Sequence, residues 1–125
     1  MPGFTKLSKT QGLLMEWAER TAAARAALDD FSKSHSDRAE QASECRQDAG
    51  SIWLQIREAG CRPNDLTSLE HENERAIDTA AKAILHSKKY SETWTEAMHE
   101  LAHAERVKDA YRELRTRLID LREEI

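Results

Sequence analysis

LMEWAERTAAARAALDDFSKSHSDRAEQASECRQDAGSIWLQIREA, residues 14–59, carries at alternating steps of three and four a stripe of side chains that are apolar or small except at His35 and Arg38. Leu14, Trp17, Thr21, Ala24, Leu28, Phe31, His35, Arg38, Ala42, Cys45, Ala49, Ile52, Ile56 and Ala59 follow one another in this way. That spacing keeps one side of an α-helix facing a partner helix. A second stripe follows the turn Gly60-Cys-Arg-Pro-Asn-Asp65 and runs through Leu69, Asn73, Ala76, Ala80, Ala83, Ser87, Tyr90, Trp94, Ala97, Leu101 and Ala104. Two long helices joined by a tight turn make an all-α, coiled-coil-like antiparallel hairpin. The reading is one helical domain over residues 1–125, with a helix over about 8–59, a turn at 60–65 and a helix over about 66–125.

The helix ends support this division. Ser8 and Gln11 fit a capping box, in which each side chain satisfies the other's backbone N–H. Gly60 can take the left-handed conformation that ends a helix, and Pro63 prevents continuation. Asn64-Asp65 or Thr67-Ser68 can then cap the next helix. Two serine-rich stretches, 32–37 and 87–93, compete for backbone hydrogen bonds and favour helix ends. The pattern Thr93-x-x-Glu96 adds a second possible start. If both stretches break, the alternative is a compact four-helix bundle. Continuity of the stripes across both favours the unbroken hairpin, whose pairing with a second copy would make a four-helix arrangement.

Setting residue 59 opposite 66 across the turn yields a register for the hairpin. Ile56 meets Leu69, Ala49 meets Ala76, Cys45 meets Ala80, Ala42 meets Ala83 and Phe31 meets Trp94. The same register places His35 and Arg38 at the height of Tyr90 and Ser87, a polar waist that can fix alignment. Beyond Ala104 the stripe skips to Val107, Tyr111, Leu114, Leu118, Leu121 and Ile125, with Leu118 opposite Leu7 and Leu121 opposite Phe4.

Charged residues are 34% of the 125, with only 4 Gly and 2 Pro, a composition of long surface-rich helices. A net charge of −4 argues against a dedicated binder of nucleic acid or anionic membrane, which needs a concentrated basic face. Nothing near Met1 reads as a secretory signal, and no stretch approaches a membrane span of roughly 18 apolar residues. A cytoplasmic location follows as the expectation. Cys45 and Cys61 would lie about 24 Å apart on one helix, too far for a disulfide. The stripe makes Cys45 a core filler and leaves Cys61 in the turn.

His99-Glu-Leu-Ala-His103 resembles the HExxH signature of the zinc metallopeptidases. The resemblance implies His99 and His103 as zinc ligands and Glu100 as the base that activates water, with Asp109 in the place of a third ligand. Arg106 stands where the extended pattern has its glycine. The two Glu-x-x-His spacings, Glu96 to His99 and Glu100 to His103, resemble one element of the ferritin-like di-iron proteins, which need such elements on two helices. Leu101 and Ala104 belong to the stripe, so the phase of the helix turns His99 and His103 outward. The expectation is therefore no metal, no cofactor and no enzyme.

Arg106, Lys108, Arg112, Arg115, Arg117 and Arg122 interleave with carboxylates and read as a salt-bridged face. The residues left over are apolar. Ile77, Ile84 and Met98 flank the second stripe, Trp53 and Leu54 flank the first, and Leu118 and Leu121 lie near the C-terminal tip. One seam cannot cover them all, and exposed apolar strips mark interfaces. They nominate a protein–protein interaction module, an adaptor, chaperone-like or small regulatory protein, that binds itself as a homodimer or a second helical protein. The alternatives are a small zinc hydrolase and a nucleic-acid binder acting through the C-terminal arginines.

Overall fold

In the computed structural model, which describes residues 8–123, the chain forms α1 (Lys9–Leu28), α2 (His35–Ala59), a 3₁₀ turn (Pro63–Leu66), α3 (Thr67–His86) and α4 (Glu92–Glu123). The all-α architecture is the one the stripes imply, in its four-helix form. The unbroken helices over 8–59 and 66–125 do not form, because both serine-rich stretches break.

Each break has a local cause. After α1, the Asp30 carboxylate accepts from the backbone N–H and the hydroxyl of Ser32, an arrangement that competes with helical bonding. The Ser34 hydroxyl then accepts from the Asp37 N–H and starts α2. At the other break, Ser87 leaves the helix with φ −103° and ψ 148°. Tyr90 takes a left-handed φ of 69°, and the Ser91 hydroxyl accepts from the Trp94 N–H at 3.2 Å. Ser91 therefore begins α4, two residues ahead of the expected Thr93.

The outer boundaries match the reading of the chain. Ser8 and Gln11 form the capping box, and Gly60 closes α2 with φ 68°. The Gln11 side chain also donates to the Ser68 hydroxyl at 2.8 Å, tying the start of α1 to the start of α3.

Breaking the helices changes who pairs with whom. Steps of three and four read the same in reverse, so a stripe bent at its middle still meets itself in phase. Reflected about Ser32–Ser34, Leu14 falls level with Ile52, Trp17 with Ala49 and Ala24 with Ala42, and all six are buried. At the joint, an Arg38 guanidinium N–H donates to the Leu28 carbonyl at 3.3 Å. The second stripe does the same. Ala80 and Ala97 are both buried, and the Asn73 amide donates to the Ala104 carbonyl at 2.9 Å.

The result is two antiparallel hairpins, α1 with α2 and α3 with α4, joined where α1 packs on α4. The expected register is not kept even where α1 meets α4: Arg25 pairs with Glu113 and Asp29 with Arg106, whereas the hairpin register sets those two opposite residues 100 and 96. The α2–α3 half fails too: α2 and α3 make no comparable packing among the described residues, Ala76 is exposed, and Phe31 is 79% exposed rather than stacked on Trp94. The polar waist does not form either, since His35 and Tyr90 lie exposed at separate joints.

One core sits at the shared base. Leu14, Trp17, Ile52, Ile56, Leu66, Leu69, Val107, Tyr111, Leu114 and Leu118 belong to it. Burial of each large aliphatic side chain contributes about 1.5–3 kcal/mol. Cys61 is buried in this core at 5% exposure while Cys45 is only half-buried, the reverse of the expected roles. The turn folds under the helices, so its cysteine packs inside. The pairings expected for Leu7 and Phe4, and the stripe position Ile125, lie outside the described residues.

Candidate functional site

The side chains nominated as partner contacts are divided by the fold into three places. Trp53 and Leu54, near the end of α2, and Leu121, near the end of α4, line the same crevice. Ile77 and Ile84 on α3 and Met98 on α4 lie on the second hairpin, the isoleucines half-buried and Met98 40% exposed. Leu118 is fully buried beside Leu114 in the shared core. It is therefore corrected from a partner contact to a core residue, because α4 turns it toward the chain's own helices.

Several exposed apolar side chains were not nominated. Leu85 is 80% exposed, Ile119 is 43% exposed, and Tyr90 stands out from the joint before α4 with its ring edge-on to Trp94 at 5.2 Å. Leu85 carried a signal, since Ala83-Ile84-Leu85 is broader than a single seam. Phe31 and Tyr90 carried a misleading one, because their stripe positions are core positions only if the helices run through.

The crevice exists because α1 packs on both α2 and α4 while α2 and α4 do not pack closely on each other. At one end Trp17, Ala24, Ala49 and Gly50 line a space of about 400 Å³, with Arg25, Arg46 and Arg117 around it. The Arg117 guanidinium lies 5.3 Å from the Trp17 ring centroid and 5.4 Å from that of Trp53, so one cation bridges three helices. Glu113 sits between two arginines, accepting from Arg25 at 3.1 Å and facing Arg117 at 3.5 Å. The crevice continues past Trp53, Arg57 and Leu121. It widens into a groove of about 800 Å³ lined by Leu54, Cys61, Arg62 and Arg122.

His99 is exposed, and the exposed His103 lies with its Nε2 2.8 Å from a Glu19 carboxylate oxygen on α1. Among the described residues no three His, Cys, Asp or Glu side chains gather as a metal site. Other C-terminal cations also cross between helices: Arg106 to Asp29, Lys108 to Glu74 and Arg115 to Glu70. The Glu70 carboxylate holds the Arg115 guanidinium above its usual pKa. Burial pushes the Cys61 thiol up, with Asp65 adding to the shift, and burial raises the Tyr111 phenol well above its usual range. Hydrogen bonds from Ser32 lower the Asp30 carboxyl.

Compared with protein-family models, curated proteins and solved structures, the chain finds no match. No described helix is long and apolar enough to cross a membrane.

Proposed function

We propose that this chain is a non-enzymatic interaction module of the cytoplasm that works by helix packing and pairs with a second copy of itself through the α3–α4 hairpin. The supporting observation is the exposure of Leu85 and Met98 on a hairpin whose Ile77 and Ile84 are only half-buried. Beyond the shared base, this hairpin buries little besides alanines such as Ala80 and Ala97. Small residues let two helices approach closely but bury little apolar area, so a second hairpin laid against the first adds the area that is missing. The reducing interior suits Cys45 and Cys61, which are both free thiols.

Sedimentation equilibrium tests this reading. The wild-type chain at tens of micromolar should sediment as a dimer, and Leu85→Glu combined with Met98→Glu should return it to a monomer with unchanged helicity. A wild-type monomer, or a dimer indifferent to both substitutions, would remove the proposal.

A further inference from the structure

We propose that the crevice between α2 and α4 is a docking groove for an acidic amphipathic helix of another protein. The proposal rests on the reading of the chain as a helix-packing module, and it adds a second surface with a partner of defined chemistry.

Charge carries the first step. Arg25, Arg46, Arg57, Arg62, Arg117 and Arg122 line the crevice against only Glu58, Glu113 and Asp120. The chain as a whole carries −4, so this cationic lining runs against its overall balance. Glu113 is already engaged by Arg25 and Arg117. Arg46, Arg57, Arg62 and Arg122 make no ion pair among the described residues, which leaves cationic surplus along the length of the groove. All six are arginines, whose planar fork matches a carboxylate better than an ammonium does.

Shape carries the second step. α1 packs on both walls and floors the Trp17 end, while α2 and α4 pack little on each other and are bridged there by Arg117 over Trp53, so α1, α2 and α4 form three sides of a bundle that lacks its fourth helix. From Arg46 to Ala59 the groove follows α2 for about 20 Å, the rise of about 13 helical residues, and it runs on past Gly60 to Arg62 in the turn. Trp53, Leu54 and Leu121 supply the apolar strip between the arginines. Gly50 stands at the mouth, and a Cβ there would meet nothing within 4 Å. Packing of the chain itself therefore does not need a helix-weakening glycine at this point, whereas a second backbone approaching α2 does.

The occupant follows from these features. It presents apolar side chains at i, i+3 or i+4, and i+7 to Trp53, Leu54 and Leu121, and carboxylates on both flanks to the arginines. The α4 of a second copy fits poorly, because its exposed face alternates acidic and basic residues.

The probe is a fluorescein-labelled 16-residue peptide of Leu, Ala and Glu with its leucines in that spacing, titrated by anisotropy against the full chain. Two control peptides carry Lys in place of Glu, or the same composition with the leucine spacing scrambled. The acidic amphipathic peptide should bind, both controls should bind at least about tenfold more weakly, and Arg57→Glu with Arg122→Glu should reverse the preference toward the Lys peptide. Because the peptide comparison uses the unaltered chain, it decides even if the variant misfolds. Equal binding of the scrambled peptide would show a site that reads charge alone, and no binding would show that no such helix docks; either overturns the proposal. Repeating the titration on the Leu85→Glu, Met98→Glu chain separates the two surfaces, since loss of self-association should leave peptide affinity unchanged. If Arg57→Glu with Arg122→Glu instead makes the wild-type dimer dissociate, the groove belongs to a second copy and the proposal falls.

Discussion

Arg117 on α4 reaches the ring of Trp53 on α2 at 5.4 Å, a link across a crevice that helix packing does not close. The same guanidinium faces Trp17 on α1, so a single side chain ties three helices. Arg117→Ala should lower the unfolding free energy by about 1 kcal/mol, since a partly exposed cation–π contact contributes on the order of 0.5–1 kcal/mol. It should also change the tryptophan emission, and urea titration followed at that wavelength reads both.

The division between core and surface leucines is measurable. Leu118→Ala should cost about 2–5 kcal/mol through the lost burial and the cavity left behind, while Leu85→Ala should stay within about 0.5 kcal/mol. Equal costs in denaturant unfolding, measured at monomeric concentration, would contradict the placement of Leu118 inside and Leu85 outside.

Gly50 within α2 and Gly60 just past its end should respond with opposite sign. Gly60 has φ 68°, so an alanine there is strained by about 1 kcal/mol even though its Cβ meets no neighbour. Gly50 sits mid-helix with open space around it, so Gly50→Ala should stabilise the chain by about 0.5–1 kcal/mol. Thermal unfolding of the two variants should shift in opposite directions from wild type.

Alkali should weaken the fold through two buried groups. Cys61 and Tyr111 both have raised pKa values, so the unfolded chain releases their protons first. Stability is then fully present below the ordinary values of 9.0 for the thiol and 10.0 for the phenol, and falls as pH rises past them. The urea midpoint should drop between pH 8 and pH 10.5, and Tyr111→Phe should flatten that drop. At neutral pH, alkylation should label the half-buried Cys45 well before the buried Cys61.

Much of the fold was legible in the chain. The capping box at Ser8, the left-handed Gly60 and the placement of Val107, Tyr111 and Leu114 in the core all follow from local chemistry that a sequence displays. The pairing of the helices was not legible, for a reason internal to the pattern. A stripe with alternating steps of three and four is unchanged by reversal, so periodicity alone cannot distinguish a helix that faces another stripe from one bent back on itself. The choice falls to a few hydroxyls and carboxylates, Asp30 with Ser32, then Ser34, then Ser91, whose hydrogen bonds are worth little singly and leave no periodic trace. The misplacements of Phe31 and Tyr90 descend from that choice, whereas Cys61 is buried by the turn that folds under the helices. For the surface, Trp53, Leu54 and Leu121 were identified as unspent apolar residues, but their arginine neighbours come from three helices. Only the packing of α1 between α2 and α4 brings Arg25, Arg46 and Arg117 together.

The mirrored stripes also bear on how the molecule acquires its shape. Each helix finds its first partner directly next in the chain, across a short joint, and the contacts that span a long stretch of sequence are those of α1 with α4 and of the turn and the Gln11–Ser68 bond at the shared base. Most of the search is therefore local, the ordering that gives helical proteins of low contact order their folding times of microseconds to milliseconds. The two hairpins can close independently, leaving their docking at the common base as the late event, so substitutions at Leu14 or Leu118 should speed unfolding more than they slow folding.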